Sequence, residues 1–345
     1  MAGTDVSAAE STVAIPIRDG GERLRAVLQA LSRQSVAHEL IVCDSGSTDG
    51  SAALAASFGA RVLEISPGRF SHGAARNLLM SEARGRHVAL LSQDAEPSDE
   101  RWLEHLQAGF ALAEDEAIVY GPYRPRPDAT FAVRCELERW FHSLAPDGEP
   151  QLERLAPEER TLAPIALLGR RGFFTDANSC LLRAAWEQVP FREVPYAEDR
   201  VLAIDMLRAG FAKAFIPAAA VLHSHDYSSM QRLRRSFDEG RGLREVYGWR
   251  EPSGPGHLIR QLRGELAAAR RELTREGITG ARRRATLLAV SRHHVSRLAG
   301  SQLGSRAELL PPLARRRLSL EQRSTFAPID LDIPAAIASV KDSPT

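Results

Sequence analysis

Short apolar runs and longer amphipathic stretches take turns along the first hundred residues. Val13 to Ile17 is an apolar run closed by polar residues and predicts a buried strand. Glu22 to Leu31 follows, with Leu24, Val27, Leu28 and Leu31 at helical spacing. Glu39 to Cys43 predicts a second strand that runs straight into the polar stretch from Asp44 to Gly50. A helix through Ala52 to Phe58, a strand at Arg61 to Ile65, a helix at Ala74 to Ala83 and a strand at His87 to Ser92 complete the series. Such alternation predicts an α/β domain with a mostly parallel sheet. In these sheets ligands gather at the carboxyl ends of the strands. Asp44 and Asp94 each close a predicted strand, so they are expected on one rim.

The pattern loosens between Pro122 and Pro164, where Pro, Arg and Glu predict loops and one helix, Phe131 to Ser143, capping the sheet edge. From Met230 it changes again. Gln231 to Gly300 holds sixteen arginines, no lysine and seven acids, with Leu258, Leu262, Leu266 and Leu273 at intervals that suit amphipathic helices outside the sheet. The expected organisation is a sheet domain over 11–229, an Arg-rich helical extension over 230–322, and a poorly ordered tail over 323–345.

Composition adds exclusions. The chain has 345 residues, 43% apolar and 26% charged, with a formal net charge of +1, so overall charge selects no partner. Cys43, Cys135 and Cys180 are widely spaced, without a CxxC pair or zinc spacing, which favours a reducing, cytosolic setting. The start is polar and acidic, unlike a secretory signal. No apolar run approaches the ~20 residues that span a bilayer, so a soluble or at most peripheral protein is expected.

Five stretches carry candidate chemistry. Asp44-Ser45-Gly46-Ser47-Thr48-Asp49-Gly50 offers a strand-end carboxylate for a base or ribose, followed by small residues that let backbone approach a ligand; it serves equally well as a capped turn. In Phe70-Ser71-His72-Gly73-Ala74-Ala75-Arg76-Asn77, small residues open a helix and Arg76 suits a diphosphate or plain solvent. Val88 to Pro97 delivers Asp94 to the rim, as a ligand for a hard divalent cation or as a turn former. Glu198 and Asp199 open an apolar helix, where the dipole favours acids and where a general base could also sit. His223 and His225 lie two apart in an extended segment and share a face, as metal ligands or as ordinary loop histidines.

Taken in order, these stretches resemble glycosyltransferase family 2 enzymes of the GT-A fold, a Rossmann-like sheet flanked by helices. The resemblance runs from about Thr12 to Gly242 and faintly to about Ser319. Pro16 lies in the opening strand, Ala14-Ile15-Pro16-Ile17, and Gln34 follows the first helix; the Asp44 to Gly50 stretch matches the nucleoside-binding motif. Phe70-Ser71-His72-Gly73 with Arg76-Asn77, Ser92-Gln93-Asp94-Ala95, Ala197-Glu198-Asp199, Ala209-Gly210-Phe211, His223-Ser224-His225 and Arg234 to Gly240 are similar to the bacterial rhamnosyltransferase branch. The resemblance implies a donor site of Pro16, Asp44, Ser45, Ser47, Asp49, Gly73, Arg76, Asn77, Gln93 and Asp94. Asp44 would meet uracil or thymine, and Asp49 would support the loop. Asp94 would stand for the metal-binding acid of a DxD element, here with one carboxylate, completed by His223 or His225, the former favoured. Asp199 would be the base, with Glu198 beside it.

The implied activity is inverting transfer of a sugar, rhamnose included, from a dTDP- or UDP-linked donor to a glycan, lipid-linked or small-molecule acceptor, assisted by Mg²⁺ or Mn²⁺. A cytoplasmic enzyme is expected, with the arginine-rich region as a candidate contact to the inner membrane face. Two rivals carry less. A sugar nucleotidyltransferase would want a richer glycine loop than Gly20-Gly21, and a nucleic-acid binder would leave Asp44, Asp94 and Asp199 without a role; no nucleic-acid partner is expected.

Overall fold

The computed structural model describes residues 10–329 and 331. In chain order the elements are β1 (Ser11–Ile17), α1 (Gly21–Leu31), β2 (Glu39–Asp44), α2 (Ser51–Ser57), β3 (Arg61–Glu64), α3 (His72–Glu82), β4 (His87–Leu91) and β5 (Glu96–Pro97). Next come α4 (Trp102–Gly109), β6 (Glu116–Tyr120), β7 (Tyr123–Arg124), α5 (Phe131–Leu144), β8 (Gln151–Glu153), β9 (Asn178–Leu182) and α6 (Arg183–Gln188). The chain continues through α7 (Glu198–Ala209), β10 (Ala212–Phe215), β11 (Val221–Leu222), α8 (Ser229–Tyr247), α9 (Pro255–Arg275), α10 (Gly280–Gly304) and α11 (Pro312–Leu318).

Eight strands form one sheet in the order β3-β2-β1-β4-β9-β6-β10-β8. All run the same way except β9 and β8, which are antiparallel to their neighbours. Strand β1 explains the layering. Val13, Ile15 and Ile17 meet α1, α2 and α4 on one face, while Ala14 meets α3, α5 and α7 on the other. Both faces are covered, so the central strands read as continuous apolar runs rather than alternating ones. The strand order reverses beside β1, with β2 on one side and β4 on the other. This reversal opens the crevice in which α/β sheets bind ligands. A second sheet, β5-β11-β7, consists of strands of two residues each and lies beyond the ends of β4 and β6.

The C-terminal helices are closely fitted to one another. A Cβ placed on Gly300 would stand 2.2 Å from the Leu233 carbonyl, and one on Gly304 2.1 Å from that of Phe237. Only glycine lets α8 and α10 approach so closely. The leucine pattern of α9 is half used. Leu273 is fully buried, and Leu266 packs beside Ala269 against Ala132 and Val290, while Leu258 and Leu262 stay partly open.

Residues 323–329, at the start of the expected tail, are tied to α8 and to the segment before α7. Arg323 donates to the Pro195 carbonyl at 3.2 Å and pairs with Glu245 at 3.3 Å, and the Ala327 amide donates to Glu245 at 3.1 Å. Buried charges on α8 hold this strap, since Asp238 also accepts the Leu320 and Glu321 amides at 2.7 and 3.2 Å. Residues 330 and 332–345 of the expected tail lie outside the described residues.

Candidate active site

The rim at the ends of β1, β2 and β4 is laced together by short polar side chains. Asp44 ends β2 opposite Ile17 of β1, and its Oδ1 accepts the Ser47 amide at 3.1 Å and hydroxyl at 2.5 Å. Ser47 Oγ in turn accepts the Asp19 amide at 3.0 Å. Asp49 takes the Gly21 and Ser51 amides at 3.0 and 2.9 Å, a loop-supporting arrangement. The Ser45 amide and hydroxyl both reach the Ile17 carbonyl, at 3.1 and 3.3 Å. Gln93 sews β4 to β1: its Oε1 accepts the Arg18 amide at 2.8 Å and its Nε2 donates to the Arg18 carbonyl at 3.0 Å. These residues fix the loops that frame the crevice. Among them Asp44 keeps its Oδ2 the more open, with a single long bond from the Ser47 amide at 3.2 Å.

Three residues of the expected donor set are turned inward instead. Arg76, 2% exposed, pairs through Nε with Asp176 at 2.9 Å and donates to the Leu91 carbonyl at 3.4 Å. Asn77 exchanges hydrogen bonds with the Phe191 backbone at 2.8 and 3.0 Å and accepts from Trp186 Nε1 at 2.9 Å. A Cβ on Gly73 would stand 2.6 Å from the Arg192 carbonyl. Asn77 and Gly73 thus clamp the segment before α7, and Arg76 holds Asp176 ahead of β9. Their protein partners make them supports of the rim's framework.

The small sheet builds a second feature. Leu222 of β11 pairs with Glu96 of β5, two residues past Asp94, and the His223 amide donates to the Arg124 carbonyl at 3.0 Å. This brings both histidines to Asp94. His223 Nδ1 lies 3.5 Å from Asp94 Oδ1 and His225 Nε2 lies 3.4 Å from Asp94 Oδ2. One donor atom from each residue falls within 4.8 Å of the others. Burial pushes both imidazoles toward the neutral form, and His223 adds to this at His225, whose pKa falls to about 4. Neutral imidazole is the form with a free lone pair for a metal. His223 stacks edge-on against Tyr123 at 4.7 Å, which fixes its ring.

Acids converge on the third side. Glu198 is buried, Asp199 half-buried, and both follow Ala197, a non-glycine residue held at φ +58°. Such a backbone costs about 1–3 kcal/mol and is kept where surroundings impose it. Tyr196 fills the space above Gly242 of α8, with Arg235 5.5 Å over its ring. Burial raises the pKa of Glu198 and of Asp199, and the negative charge of Asp176 raises both further, while Arg76 opposes the shift at Glu198 and Arg200 at Asp199.

Asp176 is the site residue that sequence reasoning missed. Strand β9 is antiparallel, with Asn178 opposite Leu91, so its beginning lies at the rim where the parallel strands end. The Ser92 amide donates to the Ala177 carbonyl at 3.2 Å, which puts Asp176 beside the Asp94 turn. The signal was the polar residues Thr175, Asp176 and Asn178, between Phe174 and the run Cys180-Leu181-Leu182.

The fold is of GT-A architecture, and the matches to known proteins make the chain a glycosyltransferase. Residues 12–176 match the family model "Glycosyl transferase family 2", and the chain carries a domain of that family. It is 28% identical over 233 residues to the O-antigen chain rhamnosyltransferase RfbN of Salmonella typhimurium, covering 66% of this chain and 71% of that protein. The O-antigen chain rhamnosyltransferase WbaN of Salmonella anatum is 28% identical over 207 residues, covering 59% and 61%. Among solved structures, the mannosyltransferase PcManGT from Pyrobaculum calidifontis, in complex with GDP-Man and Mn²⁺, superposes with a TM-score of 0.54 at 16% identity, over 86% of this chain and 87% of that one. That likeness is one of fold. No helix among the described residues is long and apolar enough to cross a membrane.

Proposed function

We propose that the chain is an inverting transferase that moves a sugar, rhamnose foremost, from a dTDP- or UDP-linked donor to a hydroxyl of a glycan or lipid-linked acceptor. The observation that carries this reading is the meeting, on one rim, of the Asp44 loop, the Asp94–His223–His225 cluster and the buried acids. Asp44 Oδ2 is available to the nucleoside base. Asp199 accepts the acceptor's hydroxyl proton as the new C–O bond forms at the anomeric carbon. The bond to the diphosphate breaks on the opposite face, so configuration inverts. A carboxyl raised by burial is a stronger base than an exposed one, which suits proton abstraction from a hydroxyl. Glu198 and Asp176 orient and tune it.

One carboxylate with two imidazoles fits a divalent cation that tolerates nitrogen ligands, so Asp94, His223 and His225 would hold Mn²⁺ in preference to Mg²⁺, which favours oxygen. When bound, the cation supplies positive charge to the diphosphate leaving group. The rhamnosyl donor is supported by the two curated relatives, and a cytoplasmic setting by three free cysteines.

A panel of nucleotide sugars in a thermal-shift assay, with Mn²⁺ or Mg²⁺, identifies the donor. With it, Asp199→Asn should lower kcat by about 10²–10⁴-fold while donor affinity changes little. Wild-type turnover in that variant would remove Asp199 as the base.

A further inference from the structure

The C-terminal region holds a second concentration of charge, away from the donor crevice. Helix α11, the residues after it and α8 enclose a hollow of about 350 Å³ lined by Arg234, Arg316, Arg317, Ser319, Gln322 and Leu313. The arginines around it differ in their partners. Arg235 faces Glu321, Arg244 faces Glu308 and Arg323 faces Glu245. Among the described residues no carboxylate lies within ion-pair reach of Arg234, Arg316 or Arg317, and Arg234 Nε is buried without a hydrogen-bond partner. Three guanidinium groups line one hollow with no acid partner, and an anion seated there would pair with them.

The hollow is built rather than incidental. Its wall at Leu320 is pinned by Asp238, which is fully buried, and Ser319 is itself buried. Its position also ties it to the acids of the active site. Arg235, next to Arg234, lies over Tyr196, and Arg323 binds the Pro195 carbonyl, both just before Glu198 and Asp199. Leu313 at its edge is 62% exposed and Leu309 nearby in sequence is 71% exposed, so apolar surface accompanies the cations.

We infer that this hollow is an anion subsite for a phosphate or diphosphate group, held by Arg234, Arg316 and Arg317 and carried by the acceptor or by a lipid headgroup. The planar guanidinium fork matches phosphate oxygens pairwise, which a lysine cannot do. Its link to the acceptor rests on the transfer reading given above; anion binding at the hollow does not.

The test uses the full chain in metal-free buffer at fixed ionic strength. Inorganic diphosphate is titrated calorimetrically into wild type, into Arg316→Gln/Arg317→Gln, and into Arg234→Gln as a second variant should the first be unstable. Loss of two charge-assisted contacts should weaken diphosphate binding by about 10-fold or more. In parallel, vesicles of phosphatidylcholine, alone or mixed with phosphatidic acid, are co-sedimented with each protein. Weaker diphosphate binding together with lost sedimentation on phosphatidic acid supports a lipid phosphate; weaker diphosphate binding without any sedimentation supports a soluble phosphorylated acceptor. Equal diphosphate affinity in folded variants and wild type overturns the subsite. Failure of the transfer reading would appear separately, as unimpaired turnover in Asp199→Asn.

Discussion

Asp176→Asn separates electrostatic tuning from simple support, because the substitution keeps the shape and removes the charge. Arg76 is 3% exposed at its side chain and Asp176 12%, so the pair sits where a lost charge is felt. The asparagine oxygen can still accept from Arg76 Nε, which moderates the usual cost of about 3–5 kcal/mol for breaking a buried pair. A loss of about 2–3 kcal/mol follows, or a Tm lower by about 3–4 °C for a chain of this size. The second effect is on acidity. At an effective dielectric of about 20, a like charge raises a carboxyl by about one unit at about 12 Å and about two at about 6 Å. Removing Asp176's charge therefore lowers the pKa of Asp199, and the positive charge left on Arg76 acts in the same direction. As the proposed base, Asp199 must be ionised to accept a proton, so kcat/KM is expected to rise with pH through its pKa. The acidic limb should move about one unit toward lower pH. The assay is the pH profile of kcat/KM for wild type and variant, with a thermal melt on the same samples. A limb that stays in place or moves to higher pH, while Tm falls as expected, would refute electrostatic tuning and leave Asp176 a clamp.

Other outcomes follow from particular contacts. His225→Ala leaves Asp94 and His223 in place, so the Mn²⁺ concentration for half-maximal activity should rise by at least about 10-fold, measured by metal titration of the apo enzyme. Glu116 opens β6 with both carboxylate oxygens lacking a partner, and burial pushes its pKa up to about 8. Because the folded state holds this proton more tightly, stability falls as pH rises from about 4.5 to about 8; Glu116→Gln should gain up to about 4 kcal/mol across that window, read from urea midpoints, and gain no more above it. Gly300→Ala should cost about 3 kcal/mol, seen as a lower Tm, since α8 and α10 must part to admit the methyl group.

The alternating strands and helices were legible because β1, β2 and β4 are buried on both faces while the helices between them are buried on one, so polarity marks the boundaries from Val13 to Ser92. The strands of the small sheet were not, since a strand of two residues carries no period. Antiparallel β9 was also hidden: Asn178 to Leu182 gives no sign of direction, and direction alone decides whether Asp176 reaches the rim. Asp94 with His223 and His225 was legible by chemistry, although 129 positions separate Asp94 from His223. The partners of Arg76 and Asn77 were hidden for the opposite reason. A polar side chain at the start of a helix looks free to meet a ligand until its distant partner is known, and that of Arg76 lies 100 positions away.

The strap has a consequence for the order in which the enzyme is made. The Pro195 carbonyl, just before the acids of α7, is held by Arg323, 128 positions later. At a translation rate of about 5–20 residues per second, about 6–26 seconds pass between synthesis of these two partners. The donor crevice can close on the ribosome well before that interval ends. The segment before α7 cannot reach its final tether until then, so the sheet and its rim take shape on the nascent chain before the strap closes against α8.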